Sequence, residues 1–117
     1  MKVLIIEDEL LIRKSIQVLA TKRGHEVIGT DKGQEAIKLI EQQSFDYIIC
    51  DLMLGDIGGF DIIEASKRVY SLEEIAKKFI VITAYKSDDI LSRVRSYNCT
   101  FFQKPIDDVN ILIDHLV

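Results

Sequence analysis

Two acidic segments of the chain stand where short apolar runs end. Glu7 and Asp8 follow the first run, and Asp51 closes a later one. Apolar runs bounded by turn residues are typical of strands buried on both faces of a parallel sheet, whose ligands gather at the carboxyl ends of the strands. Glu7, Asp8 and Asp51 are therefore expected to converge. Two carboxylates about 4 Å apart repel by roughly 4 kcal/mol at an effective dielectric of about 20, so a proton, a lysine or a metal has to offset the repulsion.

Two more polar side chains follow the next apolar runs. Thr83 ends the fourth predicted strand, and Lys104 follows the fifth, just before the only proline of the chain, Pro105. An acidic, oxygen-rich site suits a hard cation such as Mg²⁺, which binds one or two carboxylates and accepts phosphate oxygens. Acid, metal, hydroxyl and ammonium together suit phosphoryl transfer to a carboxylate, with Asp51 as the nucleophile. Asp8 would share the metal, and Lys104 and Thr83 would contact the remaining phosphoryl oxygens.

The rest of the sequence pattern supplies the elements that must position these groups. Apolar runs alternate five times with stretches in which apolar residues recur at helical spacing. This alternation predicts an α/β fold, a doubly wound parallel sheet with right-handed crossovers and helices on both faces. Ser71 and Glu74 have the spacing of a capping box, which predicts an extra short helix ending near Lys78. The predicted strands cover residues 3–6, 26–30, 45–51, 79–83 and 100–103, and the five main helices cover about 9–23, 33–43, 60–69, 85–97 and 107–116.

Composition and charge narrow the class of protein. The 117 residues, 48% of them hydrophobic and 29% charged, fit one domain over residues 1–117. The N-terminal apolar run is too short for a secretory signal, and no stretch reaches the roughly 20 apolar residues that span a bilayer, so we expect a cytoplasmic protein without a membrane segment. Cys50 and Cys99 are interpreted as packing residues. The net charge of -4 argues against direct nucleic-acid binding.

Four short motifs make the chain resemble the receiver domains of two-component response regulators, the CheY-like superfamily. They are Glu7-Asp8, Asp51-Leu52-Met53, Thr83-Ala84 and Lys104-Pro105, and the resemblance covers essentially the whole chain. It implies a flavodoxin-like (βα)5 fold with strand order 2-1-3-4-5 and a single receiver domain, with any effector domain absent from this chain. It also implies that Asp51 takes a phosphoryl group from a sensor histidine kinase or a histidine phosphotransfer protein.

The resemblance assigns a metal-binding role to four residues. Carried over by position, Asp8 and Asp51 are direct ligands of Mg²⁺ or Mn²⁺. Met53 contributes its backbone carbonyl, and Glu7 acts mainly through a bound water. These assignments are expectations that rest on the family motif.

The same resemblance implies a switch. Thr83 supplies the hydroxyl that moves toward the phosphoryl group, and Lys104 forms an ion pair with that group. Phe101 falls where the family has a mobile aromatic residue. The Lys104-Pro105 bond is expected to be cis, as in many members. Phosphorylation is expected to change the family's α4-β5-α5 surface, which is formed here by the predicted elements of the last third of the chain. An unidentified output partner would bind that surface, and a phosphorylation-dependent dimer is also compatible with the resemblance.

The chain departs from the family pattern in two places: the loop that follows Asp51 and the segment that follows the third main helix. Gly55 stands where the family often has proline, and Gly58-Gly59 stand where it often has Asp-Gly, so the loop beside the acceptor is expected to be more flexible than usual. The segment 70–78 is longer than is typical. Neither change removes a catalytic group.

Two other functions and one surface question stay open at this point. A Mg²⁺-dependent phosphohydrolase that forms an aspartyl-phosphate would normally need a second acid two residues beyond the nucleophile, where this chain has Met53. A phosphorylation-independent interaction module of the same fold is the other alternative. We expect a signalling protein, not an enzyme in the usual sense, although it would catalyse its own phosphorylation and dephosphorylation. On the first helix Leu10, Leu11, Ser15 and Val18 either form an apolar edge for the histidine-bearing partner or widen the core stripe.

Overall fold

A five-stranded parallel sheet organises the chain in the computed structural model, which describes residues 1–85 and 87–116. The strands are β1 (Lys2–Ile6), β2 (Glu26–Thr30), β3 (Tyr47–Asp51), β4 (Phe79–Thr83) and β5 (Thr100–Gln103). The helices are α1 (Leu10–Lys22), α2 (Gly33–Gln42), α3 (Gly59–Ser66), α4 (Leu72–Lys78), α5 (Asp88–Ser96) and α6 (Val109–Ile113). The strand order is β2-β1-β3-β4-β5, which confirms the predicted flavodoxin-like fold.

Two apolar cores lie on opposite faces of the sheet because side chains alternate along each strand. Ile48 and Cys50 of β3 point into the core that α2, α3, α4 and α5 cover, and Ile49 points into the core that α1 and α6 cover. The three residues are fully buried, as expected for a central strand between two helical layers. Within the described ranges, no helix is long and apolar enough to cross a membrane.

The register of the strands brings the chemically active residues to one edge. Ile6 of β1 is level with Cys50 of β3, so the residues that follow them, Glu7 and Asp51, are neighbours. Thr83 of β4 is level with Gln103 of β5, and the N–H of Lys104 donates to the Thr83 carbonyl at 2.9 Å. The convergence expected from the sequence is therefore a result of parallel pairing in register.

Several predicted helix and strand ends are wrong by a few residues. The helix predicted from residue 85 begins at Asp88, because the Ser87 hydroxyl accepts from the N–H of Ile90 at 3.3 Å and acts as its N-cap. Lys86, which that prediction placed in the helix, lies outside the described residues. The last helix runs over Val109–Ile113 instead of 107–116, since Asp108 takes the N-cap position. The third strand begins at 47 instead of 45, and the third helix ends at 66 instead of 69.

The extra helix after α3 is present as predicted. Ser71 and Glu74 form the capping box: the Ser71 hydroxyl accepts from the N–H of Glu74 at 3.1 Å, and the Glu74 carboxylate accepts from the N–H of Ser71 at 3.0 Å. Ile75 anchors α4 in the core. Because α4 lies between α3 and β4, the family's α4-β5-α5 surface corresponds to α5, β5 and α6 in this chain.

Two glycines of the loop between β3 and α3 have opposite surroundings. A Cβ on Gly59 would lie 2.6 Å from the Asp51 carbonyl oxygen and 2.8 Å from Leu52 Cα, so the start of α3 packs directly on the main chain at the end of β3. A Cβ on Gly55 would meet no atom of the described chain within 4 Å. Gly59 is therefore required by close packing, whereas Gly55 is not.

We predict that Gly59→Ala destabilises the protein by roughly 1–3 kcal/mol, since main-chain atoms cannot move aside for the added methyl group. Gly55→Ala is the matched control in the same loop. It is expected to leave the free energy of unfolding unchanged or to raise it by up to about 1 kcal/mol, through a less flexible unfolded chain. Equilibrium urea unfolding of both variants measures the difference; equal unfolding midpoints would contradict the close contact.

Candidate functional site

Three carboxylates meet at the carboxyl edge of the sheet. Glu7 and Asp8 follow β1, Asp51 ends β3, and each offers an oxygen that lies within 4.8 Å of the others. Glu7 is fully buried and Asp51 is 3% exposed, while Asp8 is open to solvent. The structure thus brings together the three acids that the sequence predicted to converge.

Lys104 lies among these acids and carries the compensating charge. Its Nζ donates to Asp51 Oδ2 at 2.9 Å and lies 2.5 Å from Glu7 Oε1 and 3.4 Å from Glu9 Oε1. The Lys104-Pro105 bond is cis, as the resemblance implied. The lysine is one of the three ways of offsetting carboxylate repulsion that the sequence left open.

A proton on Glu7 is another of those ways. Burial, with a smaller contribution from the neighbouring Asp51 carboxylate, raises the pKa of Glu7 to about 7 against the opposing effect of the Lys104 ammonium. Burial by itself would lower the pKa of Lys104, but the contact with the Glu7 carboxylate and the hydrogen bond to Asp51 outweigh it and raise the pKa above its ordinary value. Lys104 therefore stays protonated at neutral pH, while Glu7 exchanges its proton near neutrality.

Asp51 is held at the floor of an open cleft. Its Oδ1 accepts from the N–H of Met53 at 3.1 Å, and its Oδ2 accepts from Lys104, so both carboxylate oxygens are oriented. The cleft has a volume of about 430 Å³ and is lined by Asp8, Glu9, Asp51, Met53, Ala84, Tyr85 and Lys104. A phosphoryl group could reach the Asp51 carboxylate from solvent.

The two predicted switch residues, Thr83 and Phe101, lie outside the lining of this cleft. Thr83 is fully buried, and its hydroxyl accepts from the N–H of Tyr85 at 3.2 Å, within the segment that leads to α5. Phe101 of β5 is half-buried and packs against the core on the α2–α5 face. Neither residue is among those that line the cleft. Their switch role therefore stays a prediction.

Two contacts of the site were missed from the sequence. Glu9 lines the cleft and contacts Lys104, and Arg13 donates from Nη1 to the Glu7 carbonyl oxygen at 2.8 Å. Glu9 continues the acidic run of Glu7 and Asp8, which was a usable signal. Arg13 stands one helical turn beyond Glu9, on the side of α1 that faces the end of β1, and helical spacing alone does not select it.

The donor set fits a hard divalent cation. Glu7 Oε1 is buried and, within the described ranges, receives no hydrogen bond of suitable angle, although Lys104 lies 2.5 Å away as an ion pair. With Asp8 and Asp51 it forms an all-oxygen acidic group on an open cleft, the kind of site that Mg²⁺ binds while keeping several waters. Met53 lines the same cleft.

Comparison with known proteins gives one consistent result. A profile of the family described as the response regulator receiver domain matches residues 3–115. The transcriptional regulatory protein AfsQ1 of Streptomyces coelicolor is 31% identical over 104 residues, which are 88% of this chain and 44% of that protein. The transcriptional regulatory protein PdtaR of Mycobacterium tuberculosis is 34% identical over 97 residues, 80% of this chain and 44% of that protein. The chain thus spans less than half the length of these two relatives.

A solved structure gives the same result for the fold. The CheY-like response regulator receiver domain protein from Methanospirillum hungatei superposes with a TM-score of 0.86 at 22% identity, over 98% of this chain and 89% of the other.

The raised pKa of Glu7 predicts a pH-dependent stability in the metal-free protein. Between the ordinary pKa of 4.5 and the folded value of about 7, the folded state keeps a proton that the unfolded chain has lost, so the stability contributed by Glu7 falls as the pH rises through this window. We expect the free energy of unfolding to fall by up to ~1.4 kcal/mol per pH unit relative to Glu7→Gln. Urea unfolding at a series of pH values with a chelator measures it. Glu35→Gln, at an exposed position, is the control variant. If the free energy of unfolding depends on pH in the same way in wild type and in Glu7→Gln, the assignment is refuted.

Proposed function

Because this chain belongs to the response regulator receiver domain family, we propose that Asp51 is its phospho-acceptor, taking a phosphoryl group from a phosphohistidine. The observation that carries the proposal is the Asp51 carboxylate at the floor of an open cleft, held by the Lys104 ammonium at 2.9 Å and flanked by Glu7 and Asp8. The chain is then a signalling protein of a two-component system. Neither the phosphohydrolase nor the phosphorylation-independent module is favoured by the family match.

The transfer itself requires little covalent chemistry from the protein. A carboxylate oxygen of Asp51 attacks phosphorus, the phosphorus–nitrogen bond of the donor breaks, and the electron pair stays on the imidazole nitrogen. Lys104 already lies beside Asp51 Oδ2 and would stabilise the negative charge on the transferred group. Asp51, Lys104 and Thr83 are the residues we propose for contact with the reacting atoms.

We propose Mg²⁺, or Mn²⁺ in its place, as the cofactor of this site. When bound it supplies positive charge to the equatorial oxygens of the phosphoryl group. Asp8, Asp51 and the Met53 carbonyl would bind it directly. Glu7 would act through a water, in keeping with a pKa of about 7 and with a side chain that is fully buried and paired with Lys104.

The switch follows from an exchange of hydrogen bonds at Thr83. Phosphorylation replaces one carboxylate charge by nearly two charges and adds strong acceptor oxygens, which attract the Thr83 hydroxyl and Lys104. In moving toward them, the hydroxyl would be drawn away from the N–H of Tyr85, which lies just before α5. Phe101 packs on the same face of the sheet as α5 and would move into the space that Thr83 vacates. The α5-β5-α6 surface would then change for its output partner.

The partner that delivers the phosphoryl group is proposed to be a sensor histidine kinase or a histidine phosphotransfer protein. Leu10, Leu11 and Val18 of α1 are 52%, 82% and 51% exposed, and Ser15 is exposed as well. This exposure supports an apolar edge for the histidine-bearing helix over a wider core stripe. The two relatives are named transcriptional regulatory proteins, and only the receiver role is carried over from them. We also propose that residues 1–117 form a single receiver domain, that the protein is cytoplasmic, and that this chain makes no direct contact with nucleic acid. A phosphorylation-dependent dimer is the last part of the proposal.

We expect the purified protein to gain the mass of one phosphoryl group when it is treated with acetyl phosphate and Mg²⁺. Asp51→Asn should gain none, and chelation of Mg²⁺ should abolish the gain in wild type. Asp46→Asn is a control at the other end of the sheet, where Asp46 accepts from the N–H of Lys2, and it should behave as wild type. Intact-protein mass spectrometry measures the gain. An equal gain in Asp51→Asn would refute the acceptor assignment.

Thr83→Ala should separate phosphorylation from switching. The variant is expected to form the acyl phosphate, but it loses a hydrogen bond to a charged group, worth about 1.5–3 kcal/mol, and hence roughly tenfold or more in the equilibrium toward the switched state. Amide NMR shifts of α5 and β5 before and after phosphorylation report that equilibrium. Phosphorylation shifts in Thr83→Ala as large as those of wild type would count against the switch role. The buried hydroxyl of Ser66, on α3, supplies the control variant Ser66→Ala.

A further inference from the structure

The loop between β3 and α3 has few main-chain contacts of its own. Leu52, at its start, donates to the Ile82 carbonyl at 3.2 Å, and Gly59, at its end, donates to the Leu52 carbonyl at 3.0 Å. Between these points, residues 53–57 make no main-chain to main-chain hydrogen bond within the described parts of the chain. Gly55 does not restrict the backbone conformation of this segment, because glycine has no side chain. A loop of this kind needs another tether if Met53 is to keep its place beside Asp51.

Asp56 supplies that tether from the loop to α2. Its Oδ1 accepts from the N–H of Gly33 and its Oδ2 accepts from the N–H of Gln34, each at 2.9 Å. These are the first two N–H groups of a helix whose own N-cap residue, Lys32, makes no side-chain cap among the described residues. Hydrogen bonds from Gln34 and Gly33 lower the pKa of Asp56 to about 2, so its carboxylate is charged at neutral pH and favoured by the helix dipole.

Packing supports the same connection. A Cβ on Gly33 would lie 2.4 Å from Cγ1 of Ile57, so glycine at the first position of α2 lets the residue after Asp56 pack against the helix. The helix is itself anchored, because Ala36 and Ile40 are buried in the core. The loop is thus fixed at its centre to a rigid element. The flexibility expected from its glycines is opposed by contacts from outside the loop.

We propose that Asp56 is a positioning residue for the metal-dependent phosphorylation of Asp51, tying the loop that carries Met53 to the N-terminus of α2. This inference rests on the proposed function and on the Met53 carbonyl as a ligand. Met53 also donates its N–H to Asp51 Oδ1, so a displaced loop would loosen the metal ligand and the nucleophile together. The expected signature is a weaker affinity for Mg²⁺, with a rate at saturating Mg²⁺ that is less affected.

The test compares Asp56→Ala and Asp56→Asn with wild type in a Mg²⁺ titration followed by amide NMR, alongside acetyl phosphate labelling at increasing Mg²⁺. Asp56→Ala should raise the dissociation constant for Mg²⁺ by about tenfold, the lower end of the cost of losing an outer-shell partner. Asp56→Asn keeps one acceptor oxygen and should lie between Asp56→Ala and wild type. Ser71→Ala is the matched control, since it removes the side-chain cap of α4, away from the cleft.

The outcomes separate the inference from the function on which it rests. If Asp56→Ala binds Mg²⁺ as wild type does, or if Ser71→Ala weakens the affinity equally, the positioning role is overturned. The NMR titration needs no phosphoryl transfer, so it tests the role of Asp56 even if wild type fails to form an acyl phosphate. That failure would overturn the proposed function instead. Thermal unfolding of Asp56→Ala and Ser71→Ala shows whether a shift in Mg²⁺ affinity exceeds what general destabilisation produces.

Discussion

The contact of Lys104 with Glu7 and Asp51 is the interaction on which the site depends. Three carboxylates at one sheet edge would repel one another in a place where two of them are buried, and burying an unpaired charge is expensive. The lysine compensates for them, and the raised pKa of Glu7 reduces the charge further. This balance has a direct chemical consequence. The ammonium that stabilises the resting carboxylate already lies where new negative charge would develop on Asp51, so charge stabilisation requires little reorganisation.

The parts of the molecule that were predictable from sequence are those that a local pattern determines. Strands β2, β4 and β5 have the predicted bounds because β-branched and apolar runs specify buried strands, and the capping box of α4 is a short-range signal. The convergence of Glu7, Asp8 and Asp51 followed from parallel topology alone. The start of α5 was missed because the apolar spacing of Ile90, Leu91 and Val94 does not mark where a helix begins, whereas the Ser87 cap does.

Some of the contacts that were missed join residues far apart in sequence, unlike the local contact of Arg13 with Glu7. Asp56 binds the first two N–H groups of α2, 23 and 22 residues away, and Lys104 reaches Glu9 across 95 residues. No periodicity or turn signal encodes the pairing of Asp56 with α2, so the glycines of the β3–α3 loop were interpreted by their intrinsic freedom alone. Gly59 illustrates the limit of that interpretation. It is glycine because the main chain of Asp51 and Leu52 comes too close for a Cβ, and the result is close packing at the end of the acceptor strand.

The proposed connection from the cleft to the outer surface would pass through α5, which is held on two sides. Its N-terminal side follows Thr83 and Tyr85, whose hydrogen bond a phosphoryl group would compete for. Its other side is joined to α3: Arg93 lies 4.3 Å from the ring centre of Phe60, and Tyr97, at the end of α5, stacks on Phe60 at 6.2 Å and donates to Glu64. A movement of α5 has to break these contacts or carry α3 with it. Because α3 begins on Asp51 and Leu52 themselves, the α3 contacts would oppose the proposed displacement driven by Thr83, and the balance between the two would determine how far α5 moves.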